Sequence, residues 1–274
     1  MSTGSPAGAS APLFDSHCHL DFPQLAEDLE NVLARAEAAG VTRIATIGAG
    51  QGLASAPAAL ALAHAHPSRL VASVGLHPHD ARLADERTFE QLAAWARDPA
   101  VVAIGETGLD FHYDRSPRDA QREVFRRSIA LARELDKPLV IHTREAARET
   151  LDILAGEHAA DVGGIIHCLS EDAAFARAAL DLGFVSSFSG IVTFRNAHGV
   201  QEAARSLPDD AFLVETDAPF LAPHPVRGRR NEPAFVAHVV AAVAALRGVD
   251  EETVRRRSWD NACRVYRLDP SPAD

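Results

Sequence analysis

Phe14-Asp15-Ser16-His17-Cys18-His19-Leu20-Asp21 stands near the start of the chain, and how it is read decides what the remainder can be. If residues 13–16 form a short strand, His17 and His19 lie two apart at its end. They then project to one face, while Cys18 points the opposite way. Two imidazoles aimed at one spot offer the commonest side-chain ligand for a divalent metal. An isolated H-x-H near a terminus is more often a pair of surface histidines. What changes the reading is that later strands end in the same kind of residue.

Short apolar or β-branched runs at 41–47, 70–76, 101–104, 138–141, 163–166, 184–188 and 211–214 read as buried strands. Between and after them, residues 23–39, 51–66, 86–97, 119–135, 171–182, 197–206, 232–247 and 251–262 read as helices, with one more ending at Leu154. The strands deliver His77-Pro78-His79, then Gly105-Glu106-Thr107-Gly108-Leu109-Asp110, then His142, His167, Ser189-Gly190 and Glu215-Thr216-Asp217. None shows the alternation of a half-exposed antiparallel sheet.

Eight such strands alternating with helices over about 250 residues predict an α/β fold, a single (β/α)8 TIM barrel. A doubly wound open sheet is the competing architecture, but no glycine-rich phosphate loop follows the first strand. In a barrel the functional residues collect at the C-terminal ends of the strands. The metal site is therefore expected at that rim, because clustered His, Asp and Glu mark such sites. His64, His66, His158, His198 and His238 fall in or beside helices and read as solvated or packing residues. Barrel hydrolases of the amidohydrolase type often bridge two metals with a carbamylated lysine. The chain's single lysine, Lys137, starts the fifth strand, at the wrong end, which leaves Glu106 as the bridge.

Composition bounds the rest. With 274 residues, 47% of them hydrophobic, the chain can bury a large core. No apolar run approaches the roughly eighteen residues of a membrane span. Residues 1–12 are rich in Ala, Gly, Ser and Pro, without the basic and apolar regions of a signal peptide, and read as a disordered tail before a barrel domain at 13–274. Cys18, Cys168 and Cys263 are odd in number and lack C-x-x-C spacing, which predicts a reduced, cytoplasmic protein. Lys and Arg total 27 against 38 Asp and Glu, a net charge of −11 that repels polyanions overall. A nucleic-acid substrate would need local attraction.

The motifs FDSHCHLD, GLHPH, GETGLD, PLVIHTR, IIHC, FSGIVTF, ETDAPFLAP and RGRRNEP together resemble the TatD family of metal-dependent deoxyribonucleases, over residues 13 to 263 and in that family's order. The resemblance implies a phosphodiesterase acting on DNA, exonucleolytically from an end or at damaged or single-stranded sites; a monomer with no membrane or obligate protein partner is expected. It implies that His17, His19, Glu106 and Asp217 hold one metal, and that Glu106, His142 and His167 hold a second. It points to Mg²⁺ as the working ion, whereas four histidines suit Zn²⁺ or Mn²⁺. Leu169-Ser170-Glu171 departs from the aromatic and glycine usual there, which touches substrate contacts of the sixth loop rather than His167.

A phosphodiester repels nucleophiles and has a poor leaving oxygen. Two divalent ions about 3.5–4 Å apart answer both difficulties. Glu106 and Asp217 are the catalytic candidates, Asp217 as proton acceptor for the attacking water. Asp15, Asp110 and Glu215 are candidates to accept ligand N–H groups. Arg144, Arg227, Arg229, Arg230 and His77 are the candidate substrate contacts, since arginine forks match phosphate oxygens. Asn231 and Glu232 are placed to cap the next helix or pin those arginines. Cys18 and Cys168 are expected to point into the wall. Two other classes compete: an amidohydrolase-type barrel for a small lactone, amide or phosphotriester, and a non-catalytic, metal-stabilised interaction protein.

Overall fold

The computed structural model describes residues 10–270. Eight parallel strands run β1 (Leu13–Cys18), β2 (Val41–Gly48), β3 (Leu70–Val74), β4 (Val101–Asp110), β5 (Leu139–Arg144), β6 (Gly164–Ile166), β7 (Phe184–Phe188) and β8 (Phe212–Val214), and pair in sequence order. Between them lie α1 (Pro23–Ala26), α2 (Leu29–Ala38), α3 (Ser55–Ala65), α4 (Glu86–Ala96), α5 (Arg118–Glu134), α6 (Ala147–Gly156), α7 (Ala173–Asp181) and α8 (His198–Ser206). Two helices, α9 (Val236–Arg247) and α10 (Glu251–Tyr266), follow β8. The expected TIM barrel is the observed fold. Closure comes from a parallel bridge between Cys18 and Ala218, together with a hydrogen bond from Ser16 Oγ to the Val214 carbonyl (3.1 Å).

Alternation along each strand sorts the core into two layers. Outward residues such as Leu13, Cys18, Ile44 and Ile141 pack under the helices. Phe14, Ala45, Ile47, Ala103, Val140, Ile165, Val185 and Leu213 point into the lumen and meet Trp259, Ala262, Cys263 and Tyr266 of α10, which stoppers the floor. Phe14 lies 6.0 and 5.7 Å from the Trp259 and Tyr266 ring centroids, and Tyr266 donates to the Ser16 carbonyl. Lys137 donates to the Val101 and Asp98 carbonyls, away from the polar rim.

Two irregularities prepare the site. Between Asp15 and Cys18, β1 advances three residues while β2 advances two, and between Gly105 and Thr107, β4 advances two while β5 advances one. Each is a bulge, which re-aims a side chain at the edge of regular pairing. The strand expected to end at Ile104 thus continues to Asp110. The glycines around Glu106 allow it: Gly105 (φ 145°) and Gly108 (φ 134°) adopt backbone that a side chain disfavours, and a Cβ on them would fall 2.5 Å from the Val140 carbonyl and 2.0 Å from that of His142.

The helix expected over 23–39 is broken into α1 and α2. Asp28 leaves the helical region (φ −129°), and its carboxylate accepts from Asn31, Arg35 and Arg230. Of the tail expected over 1–12, only residues 10–12 are described, and Ala11 donates to Glu252. Among the described residues, no single helix is long and apolar enough to cross a membrane.

Candidate metal centre

Glu106 is 2% exposed, at the bulge of β4, and its two carboxylate oxygens face different groups of imidazoles. Oε2 lies 3.5 Å from His17 Nε2 and 3.7 Å from His19 Nε2. Asp217 Oδ1 completes that group, 3.7 and 3.6 Å from the same two nitrogens, which are 3.3 Å apart. Oε1 lies 3.0 Å from His142 Nδ1, 2.9 Å from His167 Nε2 and 3.2 Å from His77 Nε2. All six residues expected to ligate metal therefore meet at the C-terminal mouth of the barrel.

The donor set passes a geometric test for a metal. Ligand atoms about 2.0–2.1 Å from a tetrahedral ion stand roughly 3.3–3.4 Å from one another. His17 Nε2, His19 Nε2 and Asp217 Oδ1 stand 3.3–3.7 Å from one another, Glu106 Oε2 lies 3.5 and 3.7 Å from the two nitrogens, and Oε2 itself is buried without a hydrogen-bond partner among the described residues. A buried carboxylate oxygen with no donor is costly unless a cation faces it.

A surrounding layer orients these groups. Glu215 Oε1 sits 3.1 Å from His167 Nδ1 and accepts from the Cys168 amide at 2.8 Å. Asp110 Oδ2 lies 3.0 Å from His142 Nε2 and 2.9 Å from His79 Nε2. Its Oδ1 accepts from the His112 and Tyr113 amides at 3.1 and 2.7 Å. Carboxylates behind ligating imidazoles fix ring orientation and tautomer. Asp15, proposed for the same task, instead accepts from the Thr216 amide (2.8 Å) and hydroxyl (2.6 Å) and the His17 amide (3.4 Å), so it secures the strand ends rather than a ring.

Electrostatics follow from burial set against neighbours. Burial pushes Glu106 up, but the charges of His167 and His77 and the hydrogen bond with His142 outweigh it, and its carboxyl titrates well below the ordinary range. For His167, burial is outweighed by the charges of Glu106 and Glu215, and its pKa is well raised. His19 and His142 are also raised against burial, by Asp217 and by Asp110 respectively. Asp217 is lowered, its burial overcome by the His19 hydrogen bond. Burial dominates for His17, which is lowered, and for His77, which falls to about 4. Burial likewise pushes Asp15 up to about 8. Carboxylates held low thus face imidazoles held high across the centre.

The residues expected to touch substrate divide. A cavity of about 520 Å³ opens above the cluster, bordered by His19, His77, His79, Glu106, Asp110, His142, His167 and Asp217. Arg144 lines it. His77 lies in ligand range of Glu106 rather than only at the rim. Arg227, Arg229 and Arg230 do not line the cavity. Arg227 and Arg229 stack on Phe194 and Phe235 (4.0 and 5.7 Å), and Arg230 bonds the Gln24 carbonyl, Asp28 and Glu232. Glu232 pairs with Arg35 and Arg230, as expected of a residue that pins arginines. Cys18 is buried in the wall, but Cys168 (φ 45°) lines the cavity and contacts Ser189 Oγ at 3.1 Å. Phe22, Tyr113, Arg115 and Phe220 also border the cavity and were not singled out. Their only sequence signal is position, three to five residues beyond a strand-end ligand or its carboxylate partner.

The chain as a whole is similar to known proteins. A model of the family described as TatD related DNase matches residues 14–267. The chain is 41% identical over 256 residues to a Bacillus subtilis protein named uncharacterized metal-dependent hydrolase YabD, covering 93% of this chain and 99% of that one. It is 32% identical over 261 residues to the 3'-5' ssDNA/RNA exonuclease TatD of Pectobacterium atrosepticum, covering 93% of this chain and all of that one (100%). Among solved structures, the Escherichia coli TatD homologue YjjV superposes with a TM-score of 0.87 at 28% identity, over 94% of this chain and 98% of that one. With these matches spanning nearly the whole barrel and the carboxylate–imidazole centre in place, the chain belongs to the TatD family of metal-dependent hydrolases.

Proposed function

We propose that the chain hydrolyses phosphodiester bonds of DNA, working from an end of a strand, at a centre that holds two divalent ions. The observation that carries the reading is the division of Glu106: Oε2 faces His17, His19 and Asp217, while Oε1 faces His142, His167 and His77. One carboxylate shared between two imidazole groups is what a two-metal hydrolase needs. His17, His19, Asp217 and Glu106 would hold one divalent ion and Glu106, His142 and His167 a second, and such a pair would activate water near neutral pH and offset the charge of an in-line displacement. The imidazole-rich donor set suits Mn²⁺ or Zn²⁺ better than Mg²⁺.

The chain's own groups carry the proton chemistry. Asp217 is anionic, beside the cluster and bordering the cavity, so it is the acceptor for the proton of the attacking water. As the water oxygen bonds to phosphorus, the bond to the leaving oxygen breaks; that oxygen takes up a proton from solvent, and Asp217 returns the proton it accepted to solvent. Asp110 and Glu215 hold His142 and His167 in orientation throughout. The named activity of the Pectobacterium relative supports nucleic acid as the substrate.

A cavity of about 520 Å³ also falls within the size range of small-molecule sites. A lactone, amide or phosphotriester is therefore the second reading. The deciding experiment incubates 5′- and 3′-labelled single- and double-stranded DNA with Mg²⁺, Mn²⁺ or Zn²⁺, with Glu106→Gln alongside. Metal-dependent shortening from an end, absent in the variant, is expected. Intact DNA under every ion, with turnover of a small ester, would overturn the nuclease reading in favour of the second.

A further inference from the structure

The cavity above the carboxylate–imidazole cluster has two unlike walls. On one side stand Arg115 and Arg144, their guanidinium carbons 5.3 and 5.1 Å from the ring centroid of Tyr113, which is 51% exposed. On the other stand Phe22, Ile191, Leu221 and Phe220, the last 45% exposed. Phe220 meets Phe22 edge-on (5.7 Å between centroids, 86°), and the two rings flank His19 at 6.2 and 4.7 Å. The cluster lies between a cationic wall and an aromatic one.

The backbone that carries each exposed ring is tied to the centre. Phe220 donates its amide to the Asp217 carbonyl (2.9 Å), and its carbonyl accepts from Asn231 Nδ2, a fully buried side chain that also donates to Thr216 (2.9 Å). Tyr113 is fixed through its amide on Asp110 (2.7 Å). Large aromatics left in water on ordered backbone beside a reaction centre are platforms for a ligand ring. On a chain of net charge −11, two guanidiniums on one lip are a local place for an anion.

We propose that the walls divide a single-stranded end between them, on the phosphodiesterase reading above: the terminal nucleobase stacks on Phe220 against Phe22, the scissile phosphate lies over the cluster, and the next phosphate inward lies between Arg115 and Arg144. Stacking on an aromatic tolerates every base, because each has a π face. The cationic lip recognises charge without reading sequence. A paired end has its base engaged in the duplex and must fray before it can reach Phe220.

The test uses single-stranded oligonucleotides with a normal terminus, with an abasic terminal residue, or with a neutral methylphosphonate at the linkage next to the scissile one. Each is prepared at both ends. In the wild-type protein, kcat/KM for the normal end exceeds that for the abasic end by about tenfold, as base–aromatic stacking implies. In Phe220→Ala that ratio falls toward one, and in Phe220→Trp it returns. In Arg144→Ala the preference for a charged over a neutral neighbouring linkage collapses, while the base preference stays. Melting curves check that each variant is folded.

A base preference unchanged in Phe220→Ala, or a charge preference unchanged in Arg144→Ala, overturns the assignment of that wall while leaving the hydrolysis itself intact. A wild-type protein that cuts none of the oligonucleotides overturns the nuclease reading and this proposal with it.

Discussion

At the floor of the barrel, Phe14, Val140, Ile165, Val185 and Leu213 point inward against Trp259 and Tyr266. A few residues along, at the mouth, the inward positions belong to His17, Glu106, His142, His167 and Asp217. The floor is apolar and filled. The mouth keeps buried polar atoms without partners among the described residues: His17 Nδ1, His19 Nδ1, Glu106 Oε2 and Glu215 Oε2. The contrast teaches that folding and chemistry are assigned to different layers of the same strands. A packed floor holds the strand ends in register, and a mouth so held can carry like charges and unpaired donors that would not be tolerated in a looser frame.

The sharpest way to break this division is Glu106→Gln. Its loss removes the group shared by both imidazole sets, so hydrolysis should fall about a thousandfold or more. The metal-free protein should stay folded, its urea midpoint lowered only by the lost Glu106 contacts with the imidazoles. A variant that lost stability as heavily as activity would show that the mouth also carries the fold. Trp259→Ala is the converse. Opening a cavity beneath Phe14 should destabilise the protein by about 3–5 kcal/mol, while kcat of the folded fraction stays within about twofold. An equal collapse in kcat would join the two layers.

Metal removal should produce a smaller shift. An ion present at a hundredfold excess over its dissociation constant stabilises the folded state by about 2.7 kcal/mol. Chelation should therefore lower the melting temperature of the wild-type protein, and do so much less in Glu106→Gln. Equal shifts in the two would place the binding elsewhere.

The mildest effect is that of pH on the metal-free protein. His167 has a raised pKa, so its contribution is complete below its unfolded value near 6.5 and is lost as pH climbs through the folded value. Asp15 keeps its proton in the fold until about pH 8, whereas the unfolded chain releases it near 3.8. Its contribution therefore also declines as pH rises across that window, at no more than about 1.4 kcal/mol per pH unit. Glu106 and Asp217, both lowered, act in the opposite sense, and what they contribute is lost only as pH falls below the ordinary carboxylate range. Urea unfolding with chelator should thus show stability decreasing from about pH 6.5 to pH 8, the lowered His17 and His77 opposing Asp15 below that window, and Asp15→Asn should flatten the slope. A slope unaffected by Asp15→Asn would take this carboxyl out of the balance.

The fold was readable because each strand is a short apolar run with a ligand-type residue at its end, a regularity that survives without knowledge of any contact. Glu106, His142, His167 and Asp217 were legible for that reason. The continuation of β4 to Asp110 was hidden, because Gly105 and Gly108 look like loop residues until Val140 and His142 are placed beside them. The surroundings of the RGRR run were hidden too. Charge spacing does not say which way a guanidinium faces, and these three lie outside the cavity lining that Arg115 and Arg144 share, against Phe194, Phe235, Asp28 and Glu232. Phe220 carries no periodicity at all. Its place is set by a backbone turn from Asp217 and by Asn231, eleven residues later in the chain.

Asp110 presents one oxygen to His79 and His142 and the other to the amides of His112 and Tyr113. A single acid thereby ties the posture of a ring at the reaction centre to the first turn of a surface loop. The loop can be rewritten for new substrates only while that turn keeps its two amides aimed at the shared oxygen. Diversification of this rim is thus tethered, residue by residue, to the geometry it serves.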